Sequence, residues 1–167
     1  MEIREATTKE WKQVRDLYLA LLKNDPEAFV DQYDEIAALS EERWIRGLEN
    51  KDAKVFVAVE NDKFIGMGRI NFYKELPGIP VLHKLGVLSE YRGQGIARKL
   101  VKAREEWAKS MGAHKVRLGI IADRLKTIEF SKKNGYKIME TLRNRAQIKD
   151  GTWVDVVFME KDLSAER

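Results

Sequence analysis

Apolar residues recur along this chain at two different spacings, and the change from one to the other lays out the elements. A short run at residues 2–6 predicts a first strand. Thr7 followed by Glu10 is a capping-box pattern, in which hydroxyl and carboxylate each satisfy a free helix-end donor. Trp11, Val14, Leu17, Tyr18, Leu21 and Leu22 follow at helical spacing, which predicts an amphipathic helix over residues 8–24, ended by Asp25-Pro26. Ser40 reads as the cap of a second helix carrying Trp44, Ile45 and Leu48. The period then shortens. Residues 54–60 and 63–73 are β-rich and joined at Asn61-Asp62, a hairpin signature. Pro77, Gly78 and Pro80 mark a loop before a strand over 81–87. A helix over 96–111 ends at Gly112, a strand spans 114–121, and a helix over 124–133 closes at Asn134-Gly135. Residues 136–149 and 152–161 form a final hairpin across Asp150-Gly151. The pattern is that of one α/β domain over residues 1–167, with a mixed, mostly antiparallel sheet and helices on both faces.

Composition narrows the function. The chain has 167 residues, 44% hydrophobic and 35% charged, which suits a folded domain with one substantial core. It has no cysteine, so disulfides, thiolate metal sites and a cysteine nucleophile are excluded. The two histidines lack a matching carboxylate cluster, and no metal is expected. No apolar run approaches the roughly 20 residues of a membrane span, and the first residues are too charged for a signal peptide. The expectation is a cytoplasmic protein with no membrane partner. A net charge of +4 rests on 31 basic and 27 acidic residues, interspersed along most of the chain, which argues against nucleic acid as the partner. Residues 92–104 alone carry Arg92, Arg98, Lys99, Lys102 and Arg104 with no acid among them. That cluster suits a small polyphosphate.

The same stretch holds the candidate chemistry. A strand ends near Val87, glycines follow at 93 and 95, and a helix begins at Ile96. The first turn of a helix has backbone N–H groups without internal partners, and its dipole favours anions. Glycines let a phosphate approach those donors, and Arg92 adds a charge capable of bidentate contact. The alternative for Arg92-Gly93-Gln94-Gly95 is a surface loop with two turn glycines. A Walker loop is absent, and Arg98 stands where a dinucleotide fingerprint needs a small residue.

From Leu85 through Leu100 (LGVLSEYRGQGIARKL) the sequence resembles the cofactor motif of the GNAT superfamily of N-acetyltransferases: Arg or Gln, two residues, Gly, one residue, then Gly or Ala, met by Arg92, Gly95 and Ala97. Gly135-Tyr136 stands where members often have Gly-Phe or Gly-Tyr, and the order of elements agrees over almost the whole chain. The resemblance implies the GNAT fold and transfer of acetyl from acetyl-coenzyme A to an amine of a small molecule or peptide, directly in a ternary complex. It assigns the pyrophosphate to Arg92, Gly93, Gln94, Gly95, Ile96, Ala97 and Arg98, and pantetheine to the bulged strand at Leu85, Gly86 and Val87. The amide near Leu85 would also stabilise the oxyanion. Dimerisation is common in such enzymes, which makes a homodimer one candidate assembly.

Two positions depart from the family pattern. Arg124 stands where members often have a pantetheine-contacting asparagine, and Ser131 where they have the tyrosine that protonates the departing thiolate. With a thiol pKa near about 8.5, the thiolate also leaves unaided or takes a proton from water. His83 is the candidate base: strict alternation puts it on one face with Leu85 and Val87, and its ordinary pKa of about 6.5 suits neutral pH. The competing reading is a histidine packed beside the core. Phe29, Tyr33, Trp44, Tyr73 and Trp153 would line the acceptor side, with Glu75 or Asp155 orienting an amine. Trp44, spaced helically from Leu48, also reads as core. Residues 24–29 resemble a branch of GNAT enzymes acting on small amines, amino acids and peptide amino termini. Two other classes stay open: a non-catalytic acetyl-coenzyme A-binding sensor, on the strength of Ser131 and Arg124, and an RNA- or ribosome-associated protein, on the strength of a pI near 9.2.

Overall fold

A computed structural model describes residues 1–164. Seven strands form one sheet in the order β1-β2-β3-β4-β5-β7-β6. They are β1 (Glu2–Glu5), β2 (Ala53–Glu60), β3 (Lys63–Tyr73), β4 (Leu76–Val87), β5 (Lys115–Ile121), β6 (Lys137–Gln147) and β7 (Trp153–Asp162). Every neighbouring pair is antiparallel except β4 and β5. Five α-helices accompany them: α1 (Trp11–Asn24), α2 (Tyr33–Ala37), α3 (Glu41–Glu49), α4 (Ile96–Ser110) and α5 (Leu125–Lys133).

Local chemistry accounts for most of these boundaries. The Thr7–Glu10 capping box forms, but it opens a 3-10 turn over Thr8–Glu10, and α1 proper starts at Trp11. Ser40 Oγ accepts the Arg43 amide and caps α3. Asn61 and Asp62 both adopt positive φ (50° and 62°), as the tight β2–β3 turn demands. Residues 77–80, expected as a loop, belong to β4. The strand pairs Leu76 with Tyr73 and next Val81 with Asn71, so Pro77, Gly78 and Pro80 occupy an irregular stretch where no ladder donor is required. The short helix α2 has no counterpart in the periodicity.

One core packs α1 against β2, β3 and the N-terminal part of α4, around Val14, Leu17, Leu21, Ile65, Met67 and Leu100. A second joins α4 and α5 to β5 and β7 through Val101, Ala108, Val116, Ile128 and Met159. Between the two, β4 and β5 pair only at Val81–Arg117 and Leu82–Leu118. Beyond Leu82 the strands part, and the remainder of β4 borders a gap. No helix among the described residues is long and apolar enough to cross a membrane.

Candidate active site

The gap is built by one irregularity in β4. Met67 pairs with Gly86 and Arg69 with His83, so three steps on β4 oppose two on β3. The extra residue is a β-bulge, and Lys84 carries the left-handed backbone there (φ 57°). A bulge reverses the alternation beyond it. His83 bonds Asn71 on the face turned toward α3, whereas Val87 meets Leu100 of α4 beside Gly66 on the other face. The expected sharing of one face by His83 and Val87 is therefore corrected: the inserted residue exchanges the faces. Gly86 faces α1, where a Cβ would lie 2.7 Å from Leu21.

Past β4 the chain makes a 3-10 turn over Ser89–Tyr91 and enters α4 through Gly93 and Gly95, both at positive φ (80° and 78°). A Cβ at either would meet no atom within 4 Å, so both face open space. The first amide to bond back along the helix is Lys99 N, to Gly95 O. Among the described residues the amides from Gly93 through Arg98 have no acceptor, a row of donors of the kind a phosphate group takes up. Buried Ile96 anchors this turn to the core, while Arg92 ties its Nε to Val87 O (3.1 Å) at the end of β4.

Three cavities run in series from this turn. The first, about 450 Å³, is bordered by Leu85, Gly86, Val87, Arg92, Gly93, Gly95, Ile96, Ala97, Arg98 and Arg124, so of the residues expected at the cofactor only exposed Gln94 stands outside it. Arg124 sits at the N-cap of α5 and donates to Asp25 Oδ2 (2.9 Å), bridging to the end of α1. The second cavity, about 630 Å³, shares Phe29, Leu85 and Arg124 with the first and contains buried Ser131. The third, about 590 Å³, lies between α1, α2, α3 and the sheet. It shares Tyr18, Asp31, Tyr73, His83 and Lys84 with the second.

At that junction the polar groups are tightly tied. Arg69 Nε donates to Asn71 Oδ1 (2.7 Å), and the same oxygen is 2.8 Å from His83 Nε2. Because the oxygen only accepts, His83 must hold its proton on Nε2, which leaves Nδ1 as its lone pair. The Tyr73 hydroxyl lies 3.4 Å from the same nitrogen. Burial, with the charges of Lys84, Arg69 and Arg104, pulls the His83 pKa down to about 3, so the ordinary value does not hold here. Tyr18 donates to Asp31 (2.6 Å), and its hydroxyl pKa is raised by burial and then by that carboxylate. Lys84 Nζ stands 3.7 Å from Asp31 and over the Tyr18 ring. Burial lowers the Lys84 pKa, opposed by Asp31.

The remaining expected residues are placed as follows. Phe29 packs edge-on against Tyr18. Tyr33 and Trp153 are exposed, and Asp155 accepts the Asn144 amide inside the β6–β7 hairpin; none of the three borders the second or third cavity. Tyr136 is buried and donates to Glu105 (2.7 Å), facing α4. Asn71, Arg69, Asp31 and Lys84 were not singled out in the sequence. Polar Arg69, Asn71 and Tyr73 alternating with apolar Ile70 and Phe72 was the signal available for two of them. Arg104 interrupts the apolar stripe of α4 and is 1% exposed, donating to the carbonyls of Leu100, Arg69 and His83. Among the described residues no group of three or more metal-ligating side chains occurs.

The sequence profile of the acetyltransferase (GNAT) family matches residues 11–136. The chain belongs to that family. Members of this GNAT family use acetyl-coenzyme A as acetyl donor. N-alpha-acetyltransferase 30 of Schizosaccharomyces pombe is 32% identical over 83 residues, 48% of this chain and 55% of that protein. The match thus spans little more than half of that relative's length. Ribosomal-protein-alanine N-acetyltransferase from Brucella melitensis superposes with a TM-score of 0.81 at 24% identity, covering 98% of this chain and 100% of that one. YncA of Salmonella typhimurium, a putative acetyltransferase solved with its cofactor acetyl-coenzyme A, gives 0.75 at 22%, covering 98% and 94%. At these identities the likeness of the structures is one of fold, and it agrees with the GNAT architecture of a mostly antiparallel sheet flanked by helices.

Proposed function

We propose that this chain, as one N-acetyltransferase domain over residues 1–167, transfers acetyl from acetyl-coenzyme A to a primary amine of a small molecule or peptide, by direct attack in a ternary complex. The observation that carries the reading is the continuity of the three cavities, from a turn of unsatisfied amides, past an opened strand edge, to a polar chamber. Bound acetyl-coenzyme A supplies an acyl thioester with a carbonyl open to an amine. The amides of residues 93–98 hold the pyrophosphate, with Arg92 and Arg98 at its flanks. The edge of β4 left open beyond Leu82 offers backbone groups at Leu85, Gly86 and Val87 to pantetheine, as an added strand would take them. The Leu85 amide, next to the bulge, polarises the carbonyl to be attacked.

His83 faces the amine. With a pKa of about 3 it does not store a proton at neutral pH. It accepts a hydrogen bond from the amine at Nδ1 and so orients it, while the proton that the amine loses goes directly to water. Ser131 lines the leaving-group side, and its short, weakly acidic hydroxyl leaves the thiolate to depart largely unaided. Phe29 and Tyr73 border the acceptor.

The test is a thermal-shift titration with acetyl-coenzyme A, coenzyme A and a nucleotide control, followed by thiol release across an amine panel. Selective stabilisation by the two coenzyme forms and turnover of at least one amine class are expected. Absence of any shift together with release no faster than hydrolysis would overturn the reading.

A further inference from the structure

The cavity beyond His83 carries a charge imbalance that acetyl transfer to a simple amine does not explain. It is bordered by Arg43, Arg46, Arg69 and Lys84 but only two carboxylates, Asp31 and Glu35. Asp31 is already engaged by Tyr18 and Lys84. Arg43, Arg46 and Arg69 have no carboxylate within ion-pair distance among the described residues. Arg69 is fixed in place: Nε donates to Asn71 and Nη2 to Gly47 O of α3 (3.2 Å), which leaves Nη1 uncommitted. Arg43 lies close enough to lower the Arg69 pKa beyond the effect of burial. A half-buried Arg69 beside a second, exposed guanidinium is costly unless an anion joins them.

A second, independent feature points the same way. Trp44, on the wall of this cavity, keeps its indole N–H buried with no acceptor. An indole N–H only donates, and this nitrogen is enclosed, so an acceptor in the cavity reaches it only once its neighbours shift. Two guanidinium groups and one indole N–H form a donor set without a matching acceptor.

We propose that the acceptor is a small amine that also carries an anionic group, a carboxylate or a phosphate, held by Arg69 and Arg43 with Trp44 while the amine points to His83. This rests on the acetyltransferase reading and adds the substrate class to it. A volume of about 590 Å³ admits a molecule of amino-acid size with room for a side chain. The free Nη1 of Arg69, with the guanidinium of Arg43 nearby, suits either anion, because both present charged oxygens to N–H donors.

The test compares matched amines with saturating acetyl-coenzyme A, with kcat/KM expressed per free (unprotonated) amine: phenylalanine against phenylalanine amide for the carboxylate, and O-phosphoethanolamine against ethanolamine for the phosphate. The acid of at least one pair should exceed its neutral partner by about tenfold or more in kcat/KM, as expected for a charge-assisted contact. Arg69→Gln should shrink that gap to about twofold while the KM for acetyl-coenzyme A stays unchanged. Arg43 is exposed and its side chain packs into no core, so Arg43→Gln provides the same comparison if Arg69→Gln does not fold. Neutral partners turned over as well as the acids would overturn the anion assignment and leave acetyl transfer standing. Should no amine turn over, acetyl transfer fails, and calorimetric titration with N-acetylphenylalanine and its amide decides the pocket. Preferential binding of the acid, lost in Arg43→Gln, supports it; equal binding or none overturns it.

Discussion

His83 donates its Nε2 proton to Asn71 Oδ1 across 2.8 Å, and Arg69 occupies the same oxygen. The imidazole is thereby fixed in one tautomer with Nδ1 as its lone pair. Replacing His83 with alanine should lower kcat by about 10-fold, the scale of a lost orienting hydrogen bond, while the affinity for acetyl-coenzyme A stays nearly unchanged. The pH profile of kcat/KM should show no inflection near 6.5 and should instead follow the ionisation of the acceptor amine, since His83 is neutral above about pH 4. Equal losses in turnover and cofactor affinity would refute the assignment.

Stability should record the same burial. An unfolded histidine takes up a proton near pH 6.5, whereas His83 in the fold does so only near 3. The unfolded chain binds the extra proton between those values, so stability falls as pH drops from about 6.5 toward 3, and this contribution is constant above 6.5. Glu10, held at about 2 chiefly by its hydrogen bond to Arg4, adds its own loss only below about pH 4.5. Melting temperatures of the native chain and His83→Gln between pH 7.5 and 5 isolate the histidine. The native chain should lose stability more steeply; parallel slopes would show that His83 is not desolvated.

The glycine turn can be probed without confusing strain with charge. Asn and Asp tolerate positive φ better than other residues. Gly95→Asp should therefore weaken coenzyme A binding by about tenfold or more relative to Gly95→Asn, because a carboxylate faces the pyrophosphate at close range. Calorimetric titration of both variants checks this. Equal affinities would mean that the phosphates bind elsewhere.

Ser131 tests how the thiolate leaves. Ser131→Ala should keep kcat within about threefold of the native value, since a thiol of pKa near 8.5 departs without an acid. A fall of tenfold or more, with acetyl-coenzyme A affinity retained, would make the serine hydroxyl the proton donor.

Gly68 tests the packing behind the junction. A Cβ there would stand 2.7 Å from Arg104 Nε, and Arg104 is enclosed and tied to three carbonyls. Gly68→Ala should destabilise the fold by about 1–3 kcal/mol through overpacking, measured by denaturant unfolding. An unchanged midpoint would show that the guanidinium moves aside.

Features set by neighbouring residues could be read before any coordinates. The capping box at Thr7, the Asn61-Asp62 turn and the glycines at 93 and 95 are dictated by which φ or which donor each local residue supplies. The groups at the junction are different in kind. His83 and Asn71 meet through an antiparallel register twelve residues apart, and Asp31 reaches Lys84 from a segment beyond α1. Such pairings depend on where whole elements dock. The bulge was likewise hidden, because one inserted residue leaves no trace in composition and undoes any count by twos. Arg104, which the sequence groups with the cations suited to a polyphosphate, is instead buried on three carbonyls, because its place depends on the missing side chain of Gly68 across the interface.

The bulge at Lys84 divides the labour of a single strand. In the proposed reaction His83, upstream, meets the amine, and Gly86 and Val87, downstream, meet the acetyl donor. Since the bulge separates the two stretches along the strand, substitutions in the upstream half are expected to retune acceptor choice without disturbing the downstream half. Donor chemistry and acceptor preference are then free to evolve as separate traits along twelve consecutive residues.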